Sequence, residues 1–317
     1  MGRKVSFLIP AYNEEESLPE LYRQIMDNIR ICEEAGLMTD YEILFINDGS
    51  TDGTADVIRD LHRQDARVRY IFFRKNFGKS AALQTGFRNV TGDVVITMDA
   101  DLQDDPCELR RFLEKIDEGY DLVSGWKQNR LDNAEKRLPS RLFNKVTARM
   151  SGIPLHDFDC GYKAYRREVT NALDIYGSMH RYIPVLAGRH GFRIGEITVH
   201  HNKRKYGKSK YGMERYLQGL FDYLTVFFLT RYADRPMYFF GRVGLVSGGI
   251  GFLICLYMAI LRICGQSIGN RPQLLLGVLL ILLGIQFLSV GFIGNMIVDQ
   301  NVRRNYTEDK ILERSED

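Results

Sequence analysis

Two long uncharged stretches near the C terminus constrain this chain more than any other feature. Residues Val243–Leu261 and Leu274–Val298 contain no charged side chain. As α-helices rising about 1.5 Å per residue, they would extend roughly 28 and 37 Å, enough to cross a hydrocarbon core of about 30 Å. Two buried helices of a soluble protein are the alternative, but soluble helices of this length normally carry a polar face. We therefore predict a transmembrane hairpin over residues 237–300.

Basic residues are unevenly distributed around this predicted hairpin. Three precede the first span and three follow the second, whereas only two lie in the linker. In that order they are Arg231, Arg235 and Arg242, then Arg303, Arg304 and Lys310, and in the linker Arg262 and Arg271. Lys and Arg accumulate on the cytoplasmic side of membrane spans. We therefore expect a multi-pass protein of the cell membrane whose N-terminal domain, both termini and tail (301–317) are cytoplasmic.

Glycines recur along one side of each predicted span. Gly277, Gly284 and Gly291 follow one another every seven residues, and Gly244, Gly248 and Gly251 also lie close to one face of their helix. Small residues let helices approach closely in lipid. Packing within the hairpin and formation of a homo-oligomer are equally open explanations.

The composition excludes several other classes of protein. With 26% charged and 11% aromatic residues, the chain is not intrinsically disordered. Its five cysteines form no CxxC pair, which argues against a disulfide framework and a zinc ribbon. The net charge of +3 is too small to argue for a nucleic-acid partner.

Strand-like and helix-like patterns alternate over residues 1–212. The predicted strands are Lys4–Pro10, Tyr41–Asn47, Val68–Phe73, Asp93–Met98, Asp121–Trp126 and Tyr162–Arg166. Helices are predicted over about 54–64 and 79–90 and after Pro106. An earlier helix follows the first strand, and Ser17 with Glu20 predicts a capping box at its start. This rhythm indicates an α/β domain with a mostly parallel sheet covered on both faces.

Polar strings directly follow three of these strands, at residues 12–14, 48–52 and 99–104. Ligands of parallel sheets bind beyond the carboxyl ends of the strands, so these strings could converge on one crevice. A P-loop is excluded, because Phe73 stands where the first glycine before Gly78-Lys79-Ser80 is required. No GxGxxG follows the first strand either, which argues against a dinucleotide-binding dehydrogenase.

The third string carries hard oxygen ligands suited to a divalent cation. Asp99, Asp101 and Gln103 follow a buried strand and supply two carboxylates and an amide. Asp104 and Asp105 precede Pro106, and for these two we predict a helix-capping role.

Taken in order, the motifs resemble those of the inverting family 2 glycosyltransferases, which have the GT-A fold. The strings are Ile9–Glu14 (IPAYNE), Asn47–Thr54 (NDGSTDGT) and Asp99–Asp104 (DADLQD), and the similarity continues through Arg74–Ser80 and Asp157–Arg166. With two C-terminal spans, the arrangement is similar to that of the polyprenyl-phosphate glycosyltransferases. That group includes the dolichol-phosphate mannose synthases and bacterial undecaprenyl-phosphate sugar transferases. The resemblance implies a GT-A, Rossmann-like domain followed by an interfacial helix and two transmembrane helices.

The resemblance also implies roles for individual residues. The first two motifs would hold the base and ribose of a nucleotide-sugar donor through Pro10, Tyr12, Glu14 and Asp48. The further donor-binding positions it implies are Asn76, Lys79, Asp99, Ala100 and Asp101. The Asp-x-Asp motif would bind Mg²⁺ or Mn²⁺ against the donor diphosphate, with Asp99, Asp101 and Gln103 as ligands. Such a cation would stabilise the negative charge that develops on the leaving nucleotide.

A basic segment, His200–Arg215, leads into a predicted amphipathic helix over 213–236 that suits the membrane interface. Attraction to anionic lipid headgroups is one role for this segment. The resemblance adds a second, binding of the acceptor phosphate by Arg204, Lys208 and Lys210. The expected partners are therefore a nucleotide sugar, a polyprenyl phosphate lipid and the membrane.

Two aspartates compete for the role of catalytic carboxylate, Asp157 and Asp159. The resemblance favours Asp157, because the family has an aspartate there, followed three residues later by Cys or Ser, then Gly, an aromatic and a basic residue. A phosphate monoester has a second pKa of about 6, so the acceptor needs little deprotonation at pH 7. The carboxylate would then orient the acceptor, or take the last proton of the monoanion. A turn aspartate that caps backbone amides is the alternative, more so for Asp159.

The expected activity is metal-dependent, inverting transfer of a hexose from a UDP- or GDP-linked sugar to undecaprenyl or dolichyl phosphate. A processive polysaccharide synthase is one alternative, but it should carry a QxxRW motif, and the only tryptophan, Trp126, stands outside such a motif. A catalytically inactive membrane scaffold is the other alternative. The intact acidic motifs argue against it.

Overall fold

A computed structural model of the chain describes residues 3–128, 144–202, 235–266 and 272–304, together with positions 224, 225, 228, 231 and 232. It contains two compact units, Met1–Tyr223 and Leu224–Asp317. Three sets of predicted features lie wholly or mostly outside the described residues. These are the acceptor residues Arg204, Lys208 and Lys210, the interfacial helix over 213–236 and the tail over 301–317.

The first unit is built on a seven-stranded sheet with the strand order β3-β2-β1-β4-β6-β5-β7. The strands are β1 (Lys4–Ala11), β2 (Asp40–Asn47), β3 (Val68–Phe72), β4 (Val94–Thr97), β5 (Leu122–Trp126), β6 (Lys163–Arg166) and β7 (Ile194–Thr198). Only β6 runs antiparallel to its neighbours, β4 and β5. The carboxyl ends of the other strands therefore share one edge of the sheet.

Helices cover both faces of this sheet. They are α1 (Leu18–Glu34), α2 (Thr54–Gln64), α3 (Lys79–Asn89), α4 (Leu109–Asp117), α5 (Arg167–Ala172) and α6 (Ile183–Arg189), and residues 144–151 are also helical. Alternation along β1 divides the core in two. Val5, Phe7 and Ile9 pack with α1, α2 and α4, whereas Leu8 packs with α3, α5 and α6. The predicted mostly parallel α/β sheet, covered on both faces, is confirmed.

The start of α1 differs from the prediction. Ser17 does not cap the helix; its hydroxyl instead donates to the backbone oxygen and the carboxylate of Glu14. The predicted capping box is therefore wrong, and Glu20 pairs with Arg23. The reason is that Ser17 already has helical dihedral angles, so its side chain does not point at the first free amides.

A buried acid on β2 ties together the amino-terminal side of the sheet. Glu42 accepts hydrogen bonds from Ser6 Oγ (2.6 Å), Thr91 N (2.5 Å) and Arg69 Nη1 (2.7 Å). Burial alone would raise the pKa of Glu42, but these donors outweigh it and lower the pKa to about 2. Glu42 is thus a charged structural group on the side of the sheet opposite the carboxyl ends.

The second unit contains two long helices, α7 (Pro236–Ile263) and α8 (Pro272–Arg304). Their candidate spans, Pro236–Ile263 and Pro272–Gln300, have mean hydropathies of 2.1 and 2.5 and are long and apolar enough to cross a membrane. The two helices pack against each other as a hairpin, and its position across a membrane stays a prediction.

Glycines line the contact between α7 and α8. A Cβ atom at Gly244 would lie 2.7 Å from the backbone oxygen of Gly284, and one at Gly251 would lie 2.6 Å from that of Gly277. A Cβ atom at Gly291 would meet Met237 Sδ at 2.7 Å. Packing within the hairpin therefore accounts for these glycines.

Candidate active site

The loops after β1 and β2 brace each other at the carboxyl edge of the sheet. Asn13 N donates to Ser50 Oγ, and Asn13 Oδ1 accepts from Thr51 N, both at 2.9 Å. Asn13 has a φ of 57°, a left-handed conformation that asparagine tolerates better than most residues. Hydrogen bonds therefore join the two motifs predicted to bind the nucleotide, which contain Pro10, Tyr12, Glu14 and Asp48.

Asp48 organises the segment that leads into α3. Its two carboxylate oxygens accept hydrogen bonds from Phe77 N (2.7 Å) and Gly78 N (2.9 Å). The neighbouring Gly49 lies so close to this segment that a Cβ atom would stand 2.6 Å from Asn76 N. Asp48 thus fixes the segment that carries the exposed Asn76 and leads into Lys79, the first residue of α3.

Lys79 forms an ion pair with Asp99, the first acid of the Asp-x-Asp motif. Burial alone would lower the pKa of Lys79, but the facing carboxylate of Asp99 raises it. Burial would likewise raise the pKa of Asp99, and Lys79 and Lys127 hold it below its usual range. Both side chains keep about a third of their surface exposed, at 31% and 33%. The pair therefore places opposite charges at the position predicted for the donor diphosphate.

Asp104 accepts a hydrogen bond from the backbone of Asp99 and does not cap the following helix as predicted. Its side chain is fully buried, Oδ2 accepts from Asp99 N at 3.1 Å, and Oδ1 lies 2.7 Å from Lys127 Nζ. Asp105 alone caps the following turn, accepting from Cys107 N at 3.0 Å. Neither Asp104 nor Lys127 could be recognised as a site residue from the sequence, because their pairing joins two different strand ends.

The rest of the Asp-x-Asp loop is held in a constrained conformation. Leu102 has a φ of 62°, which is unfavourable for a leucine. Asp101 Oδ1 accepts from Gln103 N at 3.2 Å, and Ala100 is buried beside it. Gln103 O accepts from Asn202 N at 3.0 Å, so the loop is tied to the chain that follows β7.

The donor atoms of this loop suit a divalent cation that is shared with a substrate. Within the described part of the chain, no three His, Cys, Asp or Glu side chains are grouped as a complete metal site. Mg²⁺ commonly binds through one or two carboxylates while substrate phosphates and waters complete the shell. Asp99 and Asp101, with the amide of Gln103, match such a partial set.

The turn that contains Asp157 and Asp159 gives the two acids different surroundings. Asp157 is 1% exposed, and its Oδ1 accepts from Asp159 N at 3.2 Å. The side chain of Asp159 is 40% exposed and lies 3.4 Å from Arg181 Nε. The amide-capping role, which the sequence suggested more for Asp159, is therefore played by Asp157.

Two buried charged groups hold this turn in place. Lys163 Nζ donates to the backbone oxygens of Phe158 (3.2 Å) and Cys160. Lys163 is 2% exposed, and burial lowers its pKa. On the other side, Glu196 Oε1 accepts from His156 N (2.8 Å) and Asp157 N (3.1 Å). The turn is thus fixed from β6 and β7, two strands that are distant in sequence from the motifs.

Gly161 brings the turn against the Asp-x-Asp motif. A Cβ atom at this position would lie 2.6 Å from Asp99 Oδ2, and Thr97 Oγ1 donates to Gly161 O at 2.8 Å. The structure therefore places the predicted catalytic turn in direct contact with the predicted metal ligand Asp99.

A 3₁₀ turn, Met179–Tyr182, covers the start of α3. Ser80 Oγ accepts from His180 N at 3.0 Å and lies 2.9 Å from His180 Nδ1. Burial and the nearby Lys79 lower the pKa of His180 to about 4, so its ring is neutral at pH 7. His180 and Arg181 were missed from the sequence, where no motif marks them.

Comparison with known proteins identifies the family. Residues 6–174 match the model of the family described as glycosyl transferase family 2. The chain belongs to glycosyltransferase family 2. The matched region runs from Ser6 in β1 through β6 and includes the loops with Asp48, Asp99 and Asp157, but neither the Met179–Tyr182 turn nor β7.

Two curated relatives resemble this glycosyltransferase over nearly its whole length. Dodecaprenyl-phosphate galacturonate synthase from Rhizobium johnstonii is 36% identical over 304 residues, covering 93% of this chain and 87% of the relative. Undecaprenyl-phosphate 4-deoxy-4-formamido-L-arabinose transferase from Pseudomonas fluorescens is 35% identical over 315 residues, covering 97% and 89%. The similarity therefore extends through the C-terminal helices.

Solved structures show the same fold at lower identity. Glucosyl-3-phosphoglycerate synthase from Mycobacterium tuberculosis, in complex with Mn²⁺ and UDP-glucose, superposes with a TM-score of 0.52. It is 19% identical, over 72% of this chain and 79% of that one. A mannosyltransferase from Pyrobaculum calidifontis, in complex with GDP-Man and Mn²⁺, also gives 0.52 at 15% identity, over 98% and 82%. This glycosyltransferase thus has the predicted GT-A fold.

Proposed function

We propose that this enzyme transfers a hexose from a UDP- or GDP-linked sugar to a polyprenyl phosphate at the cytoplasmic face of the membrane, with inversion. The observation that carries the proposal is the contact between the Asp157–Gly161 turn and the Lys79–Asp99 pair. It brings a carboxylate-bearing turn to the position where the donor diphosphate is expected. The names of both full-length relatives, each a polyprenyl-phosphate sugar transferase, support the same acceptor class.

On the donor side, the enzyme has to stabilise a leaving nucleoside diphosphate. Lys79 lies at the N-terminus of α3, where the free backbone amides also favour an anion. Mg²⁺ or Mn²⁺ held by Asp99, Asp101 and Gln103 would neutralise the additional charge. Asp104 and Lys127 keep the backbone of Asp99 in position. We assign Pro10, Tyr12, Glu14 and Asp48, with Asn76, to the nucleotide.

On the acceptor side, a phosphate oxygen attacks the anomeric carbon as the bond from that carbon to the diphosphate oxygen breaks. We propose Asp157 as the catalytic carboxylate, because it belongs to the turn whose Gly161 contacts Asp99. Asp159 is the second candidate, since its exposure gives it the more open position. Either acid would orient the acceptor phosphate or receive its remaining proton.

Two asparagine variants separate these roles. Asp157→Asn keeps an oxygen for the amide of Asp159 but removes the charge, so the fold should be retained. We expect kcat to fall by roughly a hundredfold or more while nucleotide-sugar binding is preserved, and Asp159→Asn to be milder. Single-turnover transfer, measured alongside donor binding, checks this. If Asp159→Asn is inactive and Asp157→Asn turns over normally, the two roles are exchanged.

We assign the acceptor phosphate to the basic segment after β7, through Arg204, Lys208 and Lys210. Arg204→Ala should raise the KM for polyprenyl phosphate by roughly tenfold while the KM for the nucleotide sugar changes little. Equal changes in both constants would show that Arg204 acts on the donor or on the fold.

The donor is tested by presenting purified enzyme and undecaprenyl phosphate with a panel of nucleotide sugars. UDP-glucose, UDP-GlcNAc and GDP-mannose are included, and the relatives' names add nucleotide-linked galacturonate and 4-deoxy-4-formamido-L-arabinose. We expect one lipid-linked sugar, formed with Mg²⁺ or Mn²⁺ and suppressed by EDTA. A long polymer would instead indicate a processive synthase, and no product with any donor would refute the proposal.

A further inference from the structure

Gln286 is an exposed carboxamide in the middle of an apolar helix. It lies midway along the candidate span Pro272–Gln300 of α8. Within the described part of the chain, its side chain makes no hydrogen bond. If the hairpin spans a membrane, as proposed above, this amide lies near the centre of the hydrocarbon. Water cannot satisfy it there, and an unpaired amide in an apolar environment is unfavourable.

The side chain points away from the partner helix of the hairpin. α8 contacts α7 through Gly277, Gly284 and Gly291, which are buried. Gln286 follows Gly284 by two residues, or about 200° around the helix at 100° per residue. It therefore lies on the face of α8 opposite α7.

One exposed stripe of this outer face runs through Gln286. Its exposed residues are separated by three or four positions. They are Leu275, Leu279, Leu282, Gln286, Ser289 and Ile293. Such a spacing keeps one stripe directed at a neighbouring helix over several turns. Ser289 Oγ donates to the backbone oxygen of Ile285 at 3.0 Å, so this serine already has a partner in its own helix. The amide of Gln286 is the polar group that a neighbour would have to satisfy.

We propose that the outer face of α8 binds the same face of a second copy of this chain, with the two Gln286 side chains hydrogen-bonded at its centre. A carboxamide is complementary to itself, because its N–H group donates and its oxygen accepts. Two copies related by a two-fold axis can therefore exchange a reciprocal pair of hydrogen bonds. The glycines of α8 already pack against α7, so a contact with a second copy would use the opposite face, which carries Gln286.

The full-length chain reconstituted in vesicles of phosphatidylcholine and phosphatidylglycerol provides the test. Copies labelled at the N-terminus with donor or acceptor dyes are mixed, and Förster transfer is followed over a range of protein-to-lipid ratios. Gln286→Leu should raise the apparent dissociation constant roughly 3- to 30-fold, the range expected for one interhelical polar contact. Gln286→Asn should retain much of the association. Gln273→Leu, an equivalent change near the end of the same helix, should leave it unaffected.

Disulfide crosslinking locates the contact independently. With the exposed Cys107 and Cys264 changed to serine, Leu282→Cys on the outer face should give a crosslinked dimer in membranes. Leu280→Cys, at a position that contacts the Gly251 region of α7, should not.

The inference is overturned if the native chain shows no more Förster transfer than randomly distributed molecules would. It is also overturned if Gln286→Leu and Gln273→Leu associate equally, or if cysteines at positions 280 and 282 crosslink equally. Release of the chain from membranes by alkaline carbonate would also overturn it, because the inference requires the hairpin to lie in the membrane. The proposed function makes the same assumption. Sugar transfer is assayed in the same vesicles. An inactive chain that still associates through Gln286 would refute the proposed function and support this inference.

Discussion

Replacing Gly161 with alanine would press a methyl group against the carboxylate of Asp99. The new Cβ atom would stand 2.6 Å from Oδ2, whereas ordinary contact begins at 3.4 Å. The carboxylate would therefore have to withdraw by roughly 0.8 Å, since the alternative is a steep van der Waals repulsion. Misplacing a reacting group by about 1 Å can reduce the rate about 100-fold. We expect kcat/KM to fall about 10- to 100-fold, or about 1.4–2.7 kcal/mol of transition-state stabilisation.

The same change should have little effect on the stability of the fold. Asp99 is the end of a partly exposed side chain that can move, so we expect the free energy of unfolding to change by less than about 1 kcal/mol. Trp126, the only tryptophan, lies in β5 and reports unfolding of the catalytic unit by its fluorescence. Transfer is measured as a function of Mg²⁺ or Mn²⁺ concentration, and the variant should require more metal for half-maximal activity.

Gly188→Ala is the matched control. Its Cβ atom would also meet the end of a flexible side chain, Ile153 Cδ1 at 2.7 Å, but no predicted ligand. We expect this variant to retain activity and metal dependence. Native kcat/KM in Gly161→Ala would refute the idea that the turn sets the position of Asp99. An equal loss in Gly188→Ala would attribute the effect to general crowding.

Acid should weaken the fold through Glu42, because its pKa of about 2 lies below the ordinary value of 4.5. The resulting stabilisation, roughly 3 kcal/mol, is fully present above pH 4.5 and is lost as the pH falls toward 2. Denaturant unfolding followed by Trp126 fluorescence should show a flatter pH dependence for Glu42→Gln over this window, and an unchanged slope would contradict the assignment. Lys163→Met removes the hydrogen-bond donor to two carbonyls of the Asp157–Gly161 turn, which we propose to be catalytic. It should lower kcat roughly tenfold while nucleotide-sugar binding is retained; an unaltered kcat would show that the turn holds its shape without Lys163. Gly284→Leu places a large side chain against the Gly244 backbone and should destabilise the hairpin by roughly 1–3 kcal/mol. Thermal scans in detergent check this, and a transition temperature equal to that of the native chain would argue against close packing there.

Several features could be read from the sequence because they depend on neighbouring residues. Short, mostly apolar runs marked β1 and β2, and the lengths of the uncharged runs marked α7 and α8. Turn-rich strings such as Asp48–Thr54 marked the loops at the carboxyl ends of the strands. In each case the signal lies within one segment, since hydrophobic periodicity and local turn chemistry report the conformation of that segment alone.

The direction of β6 and the presence of β7 could not be read in this way. The segment between β5 and β6 is long, and nothing in its local pattern states whether the returning strand runs parallel or antiparallel. β7 contains alternately buried residues over only five positions, too short a run to distinguish from other apolar segments. Its importance comes from Glu196, which fixes the turn that contains Asp157 from a distant part of the chain.

The sequence by itself determined the two-part plan of this glycosyltransferase: an α/β domain with acidic loops, followed by an apolar hairpin. Only the tertiary structure decided how the acids are used. Asp104, which precedes a helix, supports Asp99 because Lys127 arrives from another strand. Asp157 caps its own turn, and the exposed Asp159 meets Arg181. The physical reason is that the environment of a charged side chain depends on contacts between segments far apart in the chain. A local pattern places such a residue on an element but does not identify its partner.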